Sequence, residues 1–272
     1  MFRDKVVVIT GGAGGIGSAL ARAFGRDGAH IALMDRDAEA LERAVGTLMD
    51  LAPSVLPIPC DVTDADAVSV AVEVVRERFG RLDVLIHCAG LTQVSPFVDT
   101  ELEVYRRVME VNFFDTVALT KAALPLLIAS RGQVIVLSSI AGFAPLIART
   151  GYCASKHALH GFFDVVRAEL KERGVHVLLV CPSFVETDFA RSGLAGDGTT
   201  LQFERSTTGT PLTPDAVARA IYTAARKRKR LLVLSATGKL AYWVSRLLPG
   251  VYERGMTRRF RIELERKPPP KT

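Results

Sequence analysis

Six times between residues 5 and 234 a short apolar run gives way to a longer segment of helical period. The runs at 5–10, 30–34, 55–59, 83–88, 133–138, 175–181 and 231–234 are rich in Val, Ile and Leu. They show little polar alternation, as strands do when both faces of a sheet are covered. The segments 15–28, 37–51, 64–79, 101–128, 151–173 and 214–229 carry apolar residues at helical spacing. Several open on Asp or Thr as N-caps, and three close near Gly28, Gly80 and Gly174 as C-caps. Strand then helix, repeated, demands parallel strands joined by right-handed crossovers. The expected fold is α/β, a doubly wound sheet of about seven parallel strands with helices on both faces.

Two regions break the rhythm. Residues 188–212 form a Gly- and Thr-rich insertion too long for a connection, expected to act as a substrate lid. Residues 236–272 form a basic amphipathic extension beyond a single domain at 1–235. With 49% hydrophobic and 24% charged residues, the chain is no disordered, collagen-like or disulfide-scaffold sequence. Cys60, Cys88, Cys153 and Cys181 form no CxxC pair, so buried thiols in a reducing compartment are expected. An apolar strand begins at Lys5, so no signal peptide is expected, and no run of eighteen apolar residues occurs. The longest candidate, 117–129, contains Lys121 and Pro125; a soluble, cytoplasmic protein is expected.

The first strand runs directly into Thr-Gly-Gly-Ala-Gly-Gly-Ile-Gly at 10–17 and an alanine-rich helix. Glycines there let backbone approach a pyrophosphate seated on the helix N-terminus. Gly12, Gly14 and Gly17 fit one dinucleotide spacing; Gly11, Gly15 and Gly17 fit another. Asp35 ends the second strand 18 residues past Gly17, where a carboxylate accepts hydrogen bonds from adenosine ribose hydroxyls. It would repel a 2′-phosphate, and the turn has no Lys or Arg to receive one, so NAD is expected over NADP. Arg36 argues the other way.

Tyr152 and Lys156 stand at i and i+4 on one helix face, and Tyr152 lies thirteen residues beyond the strand-ending Ser139. The glycine turn, this Ser-to-Tyr spacing and Tyr-Cys-Ala-Ser-Lys together resemble the short-chain dehydrogenase/reductase family over residues 5–234. The resemblance implies a Rossmann-type fold and an NAD(P)-dependent oxidoreductase with catalytic Asn112, Ser139, Tyr152 and Lys156. Tyr152 would exchange a proton with the substrate oxygen. A free phenol has a pKa of about 10, and the Lys156 ammonium and an oxidised nicotinamide both favour the phenolate. Lys156 would also bond the nicotinamide ribose, Ser139 would donate to the substrate oxygen, and Asn112 would link Lys156 to water. By the same resemblance Gly11, Gly15, Ile16 and Gly17 hold the pyrophosphate. Asp61 and Val62 meet adenine, Ala89 and Gly90 act through backbone, and Val185 and Thr187 meet the carboxamide.

The chain departs from the family pattern at three places. His87-Cys88-Ala89-Gly90 replaces Asn-Asn-Ala-Gly, Ser183 replaces the glycine of PGxVxT, and Asp115 replaces the glycine three residues past Asn112. A lone histidine without a second ligand at metal spacing makes His87 a hydrogen-bonded structural residue, and no metal is expected.

Ligands in such sheets bind beyond the carboxyl strand edge. Phe143, Phe184 and Phe189 are the expected substrate-binding residues beside Ser139 and Tyr152, with Leu194, Leu201 and Phe203 from the insertion; cations are few, chiefly Arg149 and Arg191. A hydrophobic secondary alcohol or its ketone, steroid-, lipid- or aryl-alcohol-like, is the expected substrate. In the extension Leu240, Trp243, Val244, Leu247 and Leu248 recur at helical spacing among arginines. They either lie on an anionic membrane surface or pack on the domain or a partner subunit. A homodimer or homotetramer through the two long helices is expected by analogy. The alternative function, a non-catalytic dinucleotide-binding sensor or scaffold, sits poorly with an intact Ser-Tyr-Lys-Asn set. The basic run at 226–230 lacks aromatic stacking partners, and nucleic acid is not an expected partner.

Overall fold

The computed structural model describes residues 1–190, 192–201 and 210–265. Strands β1 (Val6–Thr10), β2 (His30–Asp35), β3 (Val55–Pro59), β4 (Val84–His87), β5 (Gln133–Leu137), β6 (His176–Cys181) and β7 (Leu231–Val233) form one parallel sheet. Their order is 3-2-1-4-5-6-7. All seven lie within one residue of the expected bounds at each end. Successive side chains point to opposite faces, so Val7 and Ile9 enter one core layer and Val6 and Val8 the other.

The first layer is closed by α1 (Gly15–Gly25), α2 (Ala38–Gly46) and α7 (Pro214–Arg226), through Leu20, Phe24, Leu41 and Ile221. The second is closed by α3 (Ala65–Phe79), α5 (Asp115–Ser130) and α6 (Thr150–Glu169), through Val75, Leu119, Leu127 and Phe163. Asp37 accepts from the Ala40 N–H and Asp64 from those of Asp66 and Ala67, caps worth about 1 kcal/mol each. Gly80, at φ 66°, ends α3.

The expected helix at 101–128 is α4 (Leu102–Met109) continuing through a π turn, Glu110–Phe114, into α5. Together, Leu102–Ser130 is long and apolar enough to cross a membrane by length and composition alone. Counting uninterrupted apolar residues missed it because Lys121 and Pro125 break the run. Its Leu119, Ala123 and Leu127 are seated on the sheet.

After β7 the chain forms two helices, α8 (Ala236–Leu247) and α9 (Pro249–Glu265), separated at Leu248. They pack on the segment that follows β5, around Ile140, Phe143, Ala144 and Cys181. The described part of the insertion is stitched down as well. Leu194 pairs with Gln93 and Thr200, and Leu194 and Leu201 are buried beside Leu91 and Val94 respectively.

Candidate active site

Strand order reverses between β1 and β4, so the turns leaving these neighbours diverge and open a crevice at their carboxyl ends. Gly11, at φ 63°, lets the first turn leave β1; a Cβ there would sit 2.9 Å from the Ala89 backbone. A Cβ on Gly17 would run into the Gly11 carbonyl. The Thr10 hydroxyl accepts from the Cys88 and Ala89 N–H groups, both at 3.1 Å, tying the two turns together. Gly14, at the N-cap of α1, offers no side-chain cap, and the first turn holds no acid. In α2, α3, α7 and α8 a capping side chain meets those donors. The uncapped start of α1 and its glycine cradle fit a pyrophosphate.

Two further segments reach this turn, and a third follows β3. Asp35 accepts from the Ala13 N–H at 3.0 Å, so the carboxylate expected at the ribose also fixes the glycine turn. Thr187 reaches the start of α1, where its Cγ2 lies 2.8 Å from the Cβ position of Gly15. Val185 is buried and bridges to Leu212 at the far end of the insertion. Asp61 and Val62 follow β3. Asp61 accepts from the backbone and hydroxyl of Thr63, and these bonds, with nearby Arg36, hold its carboxyl below the usual range. Asp64, rather than Asp61, caps α3.

Tyr152 and Lys156 lie one turn apart on α6, and the Lys156 amino group is 5.7 Å from the Tyr152 ring centre. Lys156 is buried and donates to the Leu137 carbonyl at 2.9 Å; burial pulls its pKa down to about 8. Ser139 follows β5 in extended backbone, its Oγ accepting from the Ala141 N–H at 3.1 Å. The turn Ile140–Gly142 then presses on α6, where a Cβ on Gly142 would come within 2.8 Å of the Lys156 carbonyl. Ser139 is thereby held beside the Tyr152 helix. Phe189 completes the group, its ring centre 6.3 Å from that of Tyr152.

Asn112 sits in the π turn, 1% exposed, with its side chain committed to protein. Its Oδ1 accepts from the Leu91 N–H at 2.7 Å, and its Nδ2 donates to the Leu91 carbonyl at 2.8 Å and to Ser155 Oγ at 2.9 Å. Ser155 in turn donates to the Tyr152 carbonyl. Asn112 thus joins the turn after β4 to α6. Neither the Ser155 hydroxyl nor the Leu137 carbonyl stood out in the sequence, because their partners, Asn112 and Lys156, lie 43 and 19 residues away in the chain.

The other residues singled out fall in two groups. His87 is buried, bonds Thr120 Oγ1 at 2.8 Å, and is pushed down to about 3 by burial and nearby Lys156. It is neutral and structural. Phe184 is buried, its carbonyl accepting from the Leu212 N–H. Phe143 packs beneath α8, with ring centres 5.0 Å from Tyr242 and 6.1 Å from His160, so it belongs to the core under the extension. Arg149 is 2% exposed, donates to the Ile147 carbonyl and lies over the Phe260 ring. Arg191 and Phe203 lie outside the described residues.

The chain matches the short chain dehydrogenase family over residues 5–196. It is a member of that family. It is 39% identical to dehydrogenase/reductase SDR family member 7B of Bos taurus over 97% of its own length and 84% of the relative's. The Danio rerio protein of that name is 36% identical, over 96% and 87%. Among solved structures, a short-chain dehydrogenase from Streptomyces avermitilis superposes with a TM-score of 0.79 at 28% identity, covering 95% of this chain and 97% of that one. An alcohol dehydrogenase from the archaeon Thermococcus sibiricus, complexed with 5-hydroxy-NADP, gives 0.74 at 29% identity, over 85% and 95%. Short-chain dehydrogenases are NAD(P)-linked oxidoreductases that act on small-molecule substrates and are commonly oligomeric.

Proposed function

We propose that this short-chain dehydrogenase interconverts a hydrophobic secondary alcohol and its ketone, with NAD preferred over NADP. The observation that carries the reading is Lys156, buried, anchored on the Leu137 carbonyl and held 5.7 Å from the Tyr152 ring centre. A bound nicotinamide dinucleotide supplies or takes up the hydride. Gly11, Gly15, Ile16 and Gly17 hold its pyrophosphate, with Ala89, Gly90, Val185 and Thr187 at the nicotinamide half and Asp61 and Val62 at the adenine half. Tyr152 moves the proton at the substrate oxygen. Lys156, charged below about pH 8, lowers the cost of the phenolate. Ser139 donates to the same oxygen as charge develops on it. Asn112 acts by position, fixing the Leu91 backbone and, through Ser155, the first turn of α6.

Asp35 supports NAD: its carboxylate stands at the edge of the glycine turn, where a 2′-phosphate meets a like charge. Phe189 against Tyr152 supports an apolar substrate. We place the enzyme in the cytoplasm as a homodimer or homotetramer; exposed Leu102 and Phe114 on the α4–α5 helix and Val165 on α6 offer apolar contact surface. Initial rates with both cofactors across a panel of secondary alcohols test the reading. Higher kcat/KM for bulky apolar alcohols with NAD supports it. Activity confined to sugars or hydroxy acids overturns the apolar pocket, and equal kcat/KM for the two cofactors overturns the NAD preference.

A further inference from the structure

Helices α8 and α9 have an inner and an outer face, and the two differ in kind. The inner face is bonded to the segment 140–149. Tyr242 packs on Phe143, Ser245 Oγ donates to the Phe143 carbonyl at 3.3 Å, the Tyr252 hydroxyl donates to the Pro145 carbonyl at 3.0 Å, and Met256 Sδ accepts from the Ile147 N–H at 3.1 Å. The helices are therefore fixed at the carboxyl edge of the sheet, next to the segment that begins after Ser139.

The outer face carries Leu240, Trp243, Leu247, Leu248 and Val251, from 50% to 69% exposed. Their spacing of three, four, one and three residues forms one stripe that crosses the break at Leu248. Five large apolar side chains in one stripe exceed the scattered exposure of an ordinary surface. The two helices, residues 236–265, also hold six cations, Lys239, Arg246, Arg254, Arg258, Arg259 and Arg261, against three acids, Glu253, Glu263 and Glu265. The six cations are all exposed.

We infer that this face is a docking surface for a lipid bilayer bearing anionic headgroups, with Trp243 and the leucines entering the interface and the cations meeting the headgroups. Charge decides between a bilayer and a second copy of the chain. A two-fold contact would set one net-basic pair of helices against another and repel, whereas an anionic surface neutralises the excess charge. The basic run at 226–230 takes no part. It precedes β7 at the opposite edge of the sheet, where Arg228 donates to the carbonyls of Arg131, Gly132 and Gly174.

The test is co-sedimentation of the full chain with phosphatidylcholine vesicles, with or without about one third phosphatidylserine, at low and high salt. Two exposed-face variants accompany it, Trp243→Glu/Leu247→Glu and Lys239→Glu/Arg254→Glu. Thermal melting and dinucleotide binding, which neither variant should change, report that they are folded. Partitioning about tenfold higher onto anionic vesicles, reduced by salt and lost in both variants, is the expected result. Equal pelleting with neutral and anionic vesicles, or undiminished pelleting of folded Trp243→Glu/Leu247→Glu, overturns the proposal. So does a change in oligomer mass in that variant without vesicle binding by the wild type, which assigns the face to a second copy.

Discussion

Asn112 closes both backbone polar groups of Leu91 with one side chain: its Oδ1 accepts from the Leu91 N–H and its Nδ2 donates to the Leu91 carbonyl. The amide is buried and also reaches Ser155, so a single residue of the α4–α5 helix ties the turn after β4 to the helix that bears Tyr152 and Lys156. Replacing Asn112 with Ala leaves the Leu91 N–H, the Leu91 carbonyl and Ser155 without these bonds. A loss of about 2–4 kcal/mol in urea unfolding is expected. Ser155→Ala, which removes one end of the strut, costs less. Equal, small losses in both variants would show that the strut does not hold the two turns together.

Asp35 serves two tasks that substitution can separate. Asp35→Asn keeps an oxygen to accept from the Ala13 N–H but removes the charge. The ratio of kcat/KM for NADP to that for NAD should rise by about tenfold or more, with thermal stability nearly unchanged. An unchanged ratio would remove Asp35 from cofactor choice.

Asp115 is buried, its Oδ2 has no hydrogen-bond partner, and burial with nearby Glu110 and Asp61 pushes its pKa up to about 7. A raised carboxyl favours the folded state while protonated. That contribution is complete below about pH 4, the unfolded value, and is lost as the pH rises through about 7. Asp115→Asn removes the titration, so the variant should be more stable than the wild type by about 2–4 kcal/mol at pH 8, with the gap closing near pH 4. Parallel stability–pH curves for the two proteins would contradict this assignment.

Gly11 joins a left-handed backbone angle to a close approach, since a Cβ would lie 2.9 Å from the Ala89 backbone. Gly11→Ala should cost about 2 kcal/mol or more and weaken dinucleotide binding at least tenfold by titration. Wild-type affinity in that variant would mean that the turn opens without cost.

What the sequence disclosed and what it concealed divide along the range of the interactions. The alternation of apolar runs and the glycines at 11, 15 and 17 are local patterns, and the strands followed from them within a residue. The π turn was hidden because one residue of extra helical winding leaves no periodic mark in Glu-Val-Asn-Phe-Phe. Phe143 and Arg149 looked like pocket residues because their partners, Tyr242 and Phe260, lie about a hundred positions later in the chain. Asp115 was visible as a departure from the family pattern, but its burial depends on how α5 meets the end of β3. For the extension the bonded inner face and the exposed outer stripe are both present, so packing on the domain leaves an apolar surface still uncovered.

The central claim is that Tyr152, supported by Lys156, moves the proton in an NAD(P)-linked oxidation. Tyr152→Phe keeps the ring against Phe189 and removes only the hydroxyl. The measurement is the formation of reduced nicotinamide from NAD and a hydrophobic secondary alcohol, with NAD affinity determined on the same samples. A fall in kcat of at least about a thousandfold with NAD affinity within about threefold of wild type is the predicted result. Turnover by Tyr152→Phe at the wild-type rate would contradict it.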